Sequence, residues 1–216
     1  MVIARIVSIR YNAHMKQTEK IREIAILIER LSRLMRSREH DTVLNPVQWE
    51  AIRYLARCNR FSNSPKALTS YLMSTKGTVS QTLMVLERKG LIKKTKREGS
   101  GRSVELKLTD DGLRQLEQDP WRDLDNSLPR LPGSILDEVH AQLQNILLAA
   151  LEENQFHSFG LCRTCRHFSK NKNAQREGFP HQCDLLDVPL AEEDSDYICA
   201  EHEYSDHPQN PMQRLK

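Results

Sequence analysis

The sequence predicts a mainly α fold with one small β-hairpin, an α+β chain that closes with a short cysteine-bearing module. Three observations carry this. Apolar residues recur at helical spacing in two long segments, one early and one near residue 150. Between them lie shorter helical segments that run into a stretch alternating apolar and charged residues between glycines. Around Asn154 the periodicity stops, and four of the five Cys and four of the five Phe then fall within residues 156–204.

Ile21, Ile24, Ala25, Ile28, Leu31, Leu34 and Met35 predict a long amphipathic helix over roughly 16–37. In DTVLNPVQWEAIRYLARC, Asn45 is an N-cap and Pro46 a first helical residue. Trp49, Ile52, Leu55 and Ala56 give that helix its apolar face. SPKALTSYLM (64–73) is a shorter helix, again opened by Ser-Pro. A third begins near Ser74–Thr75 and runs to Lys89, where Gly90 stops it. Its core face is Val79, Leu83 and Leu86.

LIKKTKREGSGRSVELKLT (91–109) reads as a β-hairpin with charge and glycine at its tip. DDGLRQLEQ resumes helix, and Pro120, Pro129 and Pro132 break the next segment. Ile135, Val139, Leu143, Ile146, Leu147, Ala150 and Leu151 then predict a second long helix over roughly 134–153. Both long helices carry an apolar stripe wider than a lone surface helix needs, which predicts a dimerisation region. The expected organisation is a domain over 1–153, a module over 156–204 and a disordered tail over 205–216.

The net charge of +3 conceals a segregation. Residues 87–107 hold eight Lys/Arg against three acids, whereas 184–206 hold nine acids and no Lys or Arg. The basic stretch points to a polyanion. No apolar run approaches the ~18 residues that span a bilayer, so no membrane partner is expected. MVIARIVSIRYNAHMK has no long apolar stretch or small-residue cleavage site, and the chain reads as cytoplasmic. There, clustered thiols serve metals or redox chemistry more often than disulfides.

Three helices followed by a basic hairpin is the order of a winged helix-turn-helix. In such a fold one helix enters the major groove of double-stranded DNA and hairpin cations meet phosphates. With Val79, Leu83 and Leu86 facing the core, Gln81 and Arg88 point the other way. Thr78 flanks them, and Lys76 and Thr82 lie nearer the boundary. Gln pairs with adenine, and Thr donates, accepts or touches a thymine methyl. Lys93, Lys94, Lys96, Arg97 and Arg102 are the expected phosphate contacts.

The stretches LNPVQWEAIRYLA, STKGTVSQTLMVLERKGLIKKTK and GSGRSVELKLTDDG together resemble the MarR family of bacterial transcription regulators, over about residues 16–153. The resemblance implies a homodimer on a pseudo-palindromic site, usually a repressor relieved by a small-molecule effector. The family's wing commonly carries Asp-x-Arg. Here the aligned residues are Ser100-Gly101-Arg102, so the Arg is kept and the Asp that braces it is missing.

The module follows the pattern Cys-x2-Cys-x17-Cys-x15-Cys through Cys162, Cys165, Cys183 and Cys199. Two residues between ligands let both thiolates address one ion, and thiolates suit zinc and iron–sulfur clusters. About fifty residues with few aliphatics scarcely build a core, so one metal centre is expected as a staple. Two ligand sets stay open. Cys162, Cys165, Cys199 and His202 suit zinc, slightly ahead, and all four Cys suit a cluster. The module also looks somewhat like small high-potential-type iron–sulfur modules. Cys58 reads as an ordinary buried thiol. Arg163, Arg166, Lys170, Lys172 and Arg176 are expected to answer the acidic run within the module. A rival reading makes Cys162 and Cys165 a thiol oxidoreductase pair. Such a pair opens a helix after a strand in a βαβ setting, which this sequence lacks. With no P-loop, nucleophile elbow or HExxH either, no enzyme is expected.

Overall fold

A computed structural model describes residues 2–39, 42–96 and 104–204, with side chains from residue 17 onward save those of residues 123 and 125. The chain divides into two compact units, Met1–Pro46 and Val47–Lys216. The expected tail over 205–216 lies outside the described residues.

The first unit is built on one helix, α1 (Val2–Ser37). It starts fourteen residues before the expected position, because no Gly or Pro interrupts the chain between Val2 and Ser37. Ile21, Ile24, Ile28 and Leu31 lie one above another and are all largely exposed. Glu29 and Arg33 form an i,i+4 ion pair at 3.0 Å on its surface.

The second unit opens with α2 (Pro46–Arg57), α3 (Pro65–Tyr71) and α4 (Lys76–Arg88). Ser64 caps α3 by accepting from the Ala67 amide, with Pro65 at the first helical position. Thr75 caps α4 by accepting from the Thr78 amide at 3.1 Å. Gly90, at φ +73, turns the chain out of α4 in a conformation that a side chain resists.

Strands β1 (Ile92–Lys96) and β2 (Val104–Leu108) then pair antiparallel, Ile92 opposite Leu108 and Lys96 opposite Val104. The core follows from these faces: Trp49, Ile52, Leu68, Val79, Leu83, Leu86, Ile92 and Leu106 are all buried. Each large apolar side chain so buried contributes on the order of 1.5–3 kcal/mol.

Helix α5 (Asp110–Leu116) is capped by Thr109, whose hydroxyl also donates to the Gly90 carbonyl at 2.6 Å. At Gly112 an added Cβ would stand 2.2 Å from the Leu91 carbonyl oxygen, so only glycine lets α5 pass so close to the backbone just before β1. A short α6 (Arg122–Ser127), unpredicted, leads through a 3-10 turn to α7 (Gly133–Glu153). Leu148 of α7 is buried, whereas Ile135, Val139, Leu143, Ile146 and Leu147 are exposed. Among the described residues no helix is long and apolar enough to cross a membrane.

The cysteine module adds five short strands: β3 (Gly160–Leu161), β4 (Phe168–Ser169), β5 (His181–Cys183), β6 (Val188–Leu190) and β7 (Ile198–Cys199). β3 pairs with β7, and β4-β5-β6 form a second antiparallel sheet. The module belongs to the same compact unit as α2–α7. Phe159 packs edge-on against Tyr54 of α2 and Tyr71 of α3, with ring centroids 6.2 and 5.2 Å apart.

Candidate nucleic-acid interface and thiol site

Helix α4 presents two chemically different faces. Lys76, Thr78, Ser80, Gln81 and Arg88 are exposed, opposite the buried Val79, Leu83 and Leu86. Thr82 departs from the expectation that placed it near a DNA-facing boundary. It is buried, and its hydroxyl donates to the Thr78 carbonyl at 2.9 Å. One step of 100° from Gln81 carries it onto the core side of the helix.

Lys93 and Lys96 on β1 are exposed and make no ion pair among the described residues. Lys94 is different: its ammonium meets the Glu87 carboxylate of α4 at 2.7 Å, so its charge is already answered within the domain. Arg97 and Arg102, with the Ser100-Gly101-Arg102 arm, lie outside the described residues.

The root of the wing is held from below. Glu105 takes a hydrogen bond from Asn63 at 3.1 Å, pairs with Lys107 at 3.0 Å and accepts from Thr95 at 3.3 Å. The Lys107 bond, then the Asn63 bond, hold its carboxyl below the usual carboxylate range. The Leu106 amide donates to the Asn63 carbonyl at 2.7 Å. The loop 58–63, between α2 and α3, therefore carries the inner edge of β2.

The same loop meets the cysteine module on its other side. The Asn59 amide donates to the Ile198 carbonyl at 2.8 Å, and the Ala200 amide donates to Ser62 Oγ at 2.8 Å. Asn59 Nδ2 lies 3.4 Å from Cys162 Sγ. Arg60 donates to the Pro189 carbonyl at 2.6 Å and lies 3.5 Å from Asp194. Sequence reasoning did not single out Asn59 or Ser62. Nothing local marks them, since their role comes from chain that lies a hundred or more residues away.

Cys162, Cys165, Cys183 and Cys199 line one small cavity, with His167, Phe168, Leu185, Leu186, Leu190 and Glu201. All four are free thiols, as is Cys58. The Cys162 and Cys199 thiols lie against each other, which pushes Cys162 up and holds Cys199 down. Burial raises Cys183. Among the described residues no three His, Cys, Asp or Glu groups are gathered so as to hold one metal ion.

His202, the alternative fourth ligand, is not among the cavity-lining groups. Its ring lies over Gly160, where an added Cβ would stand 2.6 Å from it, and its Nε2 is 2.9 Å from Thr164 Oγ1. Burial lowers its pKa to about 4, so the ring is neutral. His167 does border the cavity. Its Nε2 is buried without a hydrogen bond, and the Glu203 carboxylate is 3.4 Å away in ion-pair range but poor hydrogen-bond geometry.

Three of the five cations around the first cysteine pair answer the acidic run, while Arg176 lies over the Phe179 ring instead. Arg163 pairs with Asp196, Arg166 lies 3.6 Å from Glu203 and Lys172 meets Asp184 at 2.7 Å. Cys58 is buried, donates to the Leu55 carbonyl at 3.7 Å, and is pushed up to about 12 by burial. The oxidoreductase reading finds no support in this geometry. Cys162 and Cys165 flank a 3-10 turn rather than opening an α-helix, and Cys162 is buried with its thiol held protonated.

A family model described as a winged helix DNA-binding domain matches residues 44–112, the segment from the entry of α2 to α5. Among solved structures, MepR from S. aureus in a DNA-binding conformation is similar at 21% identity and a TM-score of 0.53, covering 59% of this chain and 98% of that one. A MarR family protein from Bacillus stearothermophilus is similar at 17% identity and a TM-score of 0.51, covering 63% and 96%. The fold is thus a winged helix of the architecture seen in MarR-type regulators. No curated protein matches the sequence.

Proposed function

We propose that this protein is a DNA-binding transcription regulator of the MarR type, acting as a homodimer on a pseudo-palindromic site and repressing transcription until an effector binds. The observation that carries this is the pairing of two exposed surfaces. α4 offers Lys76, Thr78, Gln81 and Arg88 on one face, and β1 offers Lys93 and Lys96 beside it. A helix of that polarity fits a major groove, and a cationic strand next to it meets the flanking phosphates.

The winged-helix match over residues 44–112 supports this reading, as does the likeness to a protein solved in a DNA-binding conformation. The homodimer rests on the exposed stripes of α1 and α7, which are too apolar to remain in water. Repression and its relief follow from the MarR likeness.

The test is fluorescence anisotropy with a duplex from the chain's own upstream region, against scrambled DNA, over a range of salt. Affinity falls steeply as salt rises, because bound phosphates release their counterions. Gln81→Ala costs the specific duplex on the order of 1–3 kcal/mol and relaxes preference at one base pair. Equal losses on specific and scrambled DNA would remove Gln81 from base readout. Salt-insensitive or undetectable binding to every duplex would remove the function.

A further inference from the structure

Loop 58–63 joins α2 to α3 and touches both the wing and the cysteine module. Asn59, Ser62 and Asn63 are polar and buried, and such groups are held in place by their hydrogen bonds. On the module side these bonds reach both small sheets. The Asn59 amide donates to the Ile198 carbonyl of β7, and the Ala200 amide, just past β7, donates to Ser62 Oγ. Arg60 donates to the Pro189 carbonyl of β6. The loop is also tied to itself and to α2. The Phe61 amide donates to Asn59 Oδ1 at 3.1 Å, the Ser62 amide to the Asn59 carbonyl at 3.0 Å, and the Tyr54 hydroxyl to the Ser62 carbonyl at 2.8 Å. These bonds stiffen the turn from Asn59 to Ser62.

On the wing side Asn63 does two things. Its carbonyl accepts from the Leu106 amide at 2.7 Å, and its Nδ2 donates to Glu105 Oε1 at 3.1 Å. The other Glu105 oxygen accepts from Thr95, the residue opposite it on β1. Asn63 therefore holds both strands of the wing through one carboxylate. Thr95 directly precedes the exposed Lys96. Ser62, gripped by the module, is the immediate neighbour of Asn63, so the two ends of this path are adjacent residues.

We propose that Asn63 is a positioning residue for the wing, and that the cysteine module fixes it in place by gripping loop 58–63. Phosphate contact by Lys93 and Lys96 then depends on the module. That consequence rests on the DNA-binding reading; the mechanical link from module to β2 does not.

The test uses the full chain, with Ser62→Ala and Arg60→Ala on the module side and Asn63→Ala on the wing side. The Arg60 side chain is 42% exposed, so its removal spares the core and keeps the test open if Ser62→Ala does not fold. Amide hydrogen exchange reads the link without DNA. The Leu106 amide should exchange about tenfold faster in Ser62→Ala and measurably faster in Arg60→Ala, while the Leu83 amide of α4 keeps its wild-type rate. Unchanged Leu106 exchange overturns the link, and so does equal acceleration at Leu83, which marks general loosening.

Salt titrations with the upstream duplex and with scrambled DNA read the consequence. Asn63→Ala should weaken both about equally, by about tenfold, and flatten the salt slope by roughly one unit, because wing phosphates are lost while α4 is untouched. Ser62→Ala combined with Asn63→Ala should cost less than the two separate losses multiplied, since both act on one path. Asn63→Ala binding with wild-type affinity and slope, or a loss confined to the specific duplex, overturns the positioning role. Losses that multiply in full overturn the module's part in it. A wild-type chain that binds no duplex overturns the regulator and the positioning role together, while hydrogen exchange still decides the link.

Discussion

Lysines 94 and 96 occupy one strand two residues apart and have different prospects as DNA contacts. Lys94 spends its charge on Glu87, whereas Lys96 faces solvent and makes no ion pair among the described residues. An exposed pair is worth at most about 1 kcal/mol, yet a phosphate must still displace Glu87 to recruit Lys94. Lys96→Ala is therefore expected to flatten the slope of log affinity against log salt by roughly one unit, and Lys94→Ala by clearly less. Parallel salt titrations of the two variants measure this, and equal slopes would show that Glu87 releases its partner on DNA. The same reasoning separates Gln81 from Thr82. They are neighbours in sequence, but only Gln81 keeps a free polar end, because Thr82 turns its hydroxyl back onto its own helix.

Among the elements, α2 is tied to the chain beyond α5 by a half-buried charge pair. Arg53 donates through Nε and Nη2 to the two Asp119 oxygens at 2.7 and 2.6 Å, with side-chain exposures of only 15% and 13%. Its guanidinium also lies 3.9 Å from the Trp121 ring centroid. Asp119 in turn accepts from the Trp121 amide at 2.9 Å. Removing the cation leaves a half-buried carboxylate without its bidentate partner. Arg53→Met should cost about 2 kcal/mol, read as a lower urea midpoint at unchanged slope. A loss below about 1 kcal/mol would mean that water already reaches Asp119. The pair was not legible in the sequence, since its members are separated by 66 residues. The helix it steadies was fully legible from Asn45-Pro46 and the spacing of Trp49, Ile52 and Leu55.

For the whole molecule the governing feature is the apolar stripe exposed on α7. On α7, Leu143 and Leu147 are 51% and 55% exposed, one turn apart, on the stripe that also holds Ile135, Val139 and Ile146. Burying such a stripe returns about 25 cal/mol per Å² removed from water, which is the physical ground for the proposed dimer. Leu143→Glu combined with Leu147→Glu should convert a dimer into a monomer in sedimentation. It should also weaken specific DNA binding by far more than scrambled binding, because a two-fold site is then read by one half at a time. A monomeric wild-type chain at micromolar concentration would remove the dimer from the account.

Periodicity, caps and turn residues alone determined α2 to α5, α7 and the alternation of the two wing strands, because these depend on neighbours within a few positions, whereas α6 and the early start of α1 were not read from them. Spacing likewise marked the four cysteines as a set. Only the tertiary structure decided that Thr82 faces inward and that Lys94 is occupied. It also carried His202 away from the thiol cavity onto Gly160 and seated loop 58–63 between the thiols and the wing. Each of these turns on which distant segment arrives at a given side chain. That is a matter of packing and hydrogen-bond satisfaction across the fold, on which local pattern carries no information.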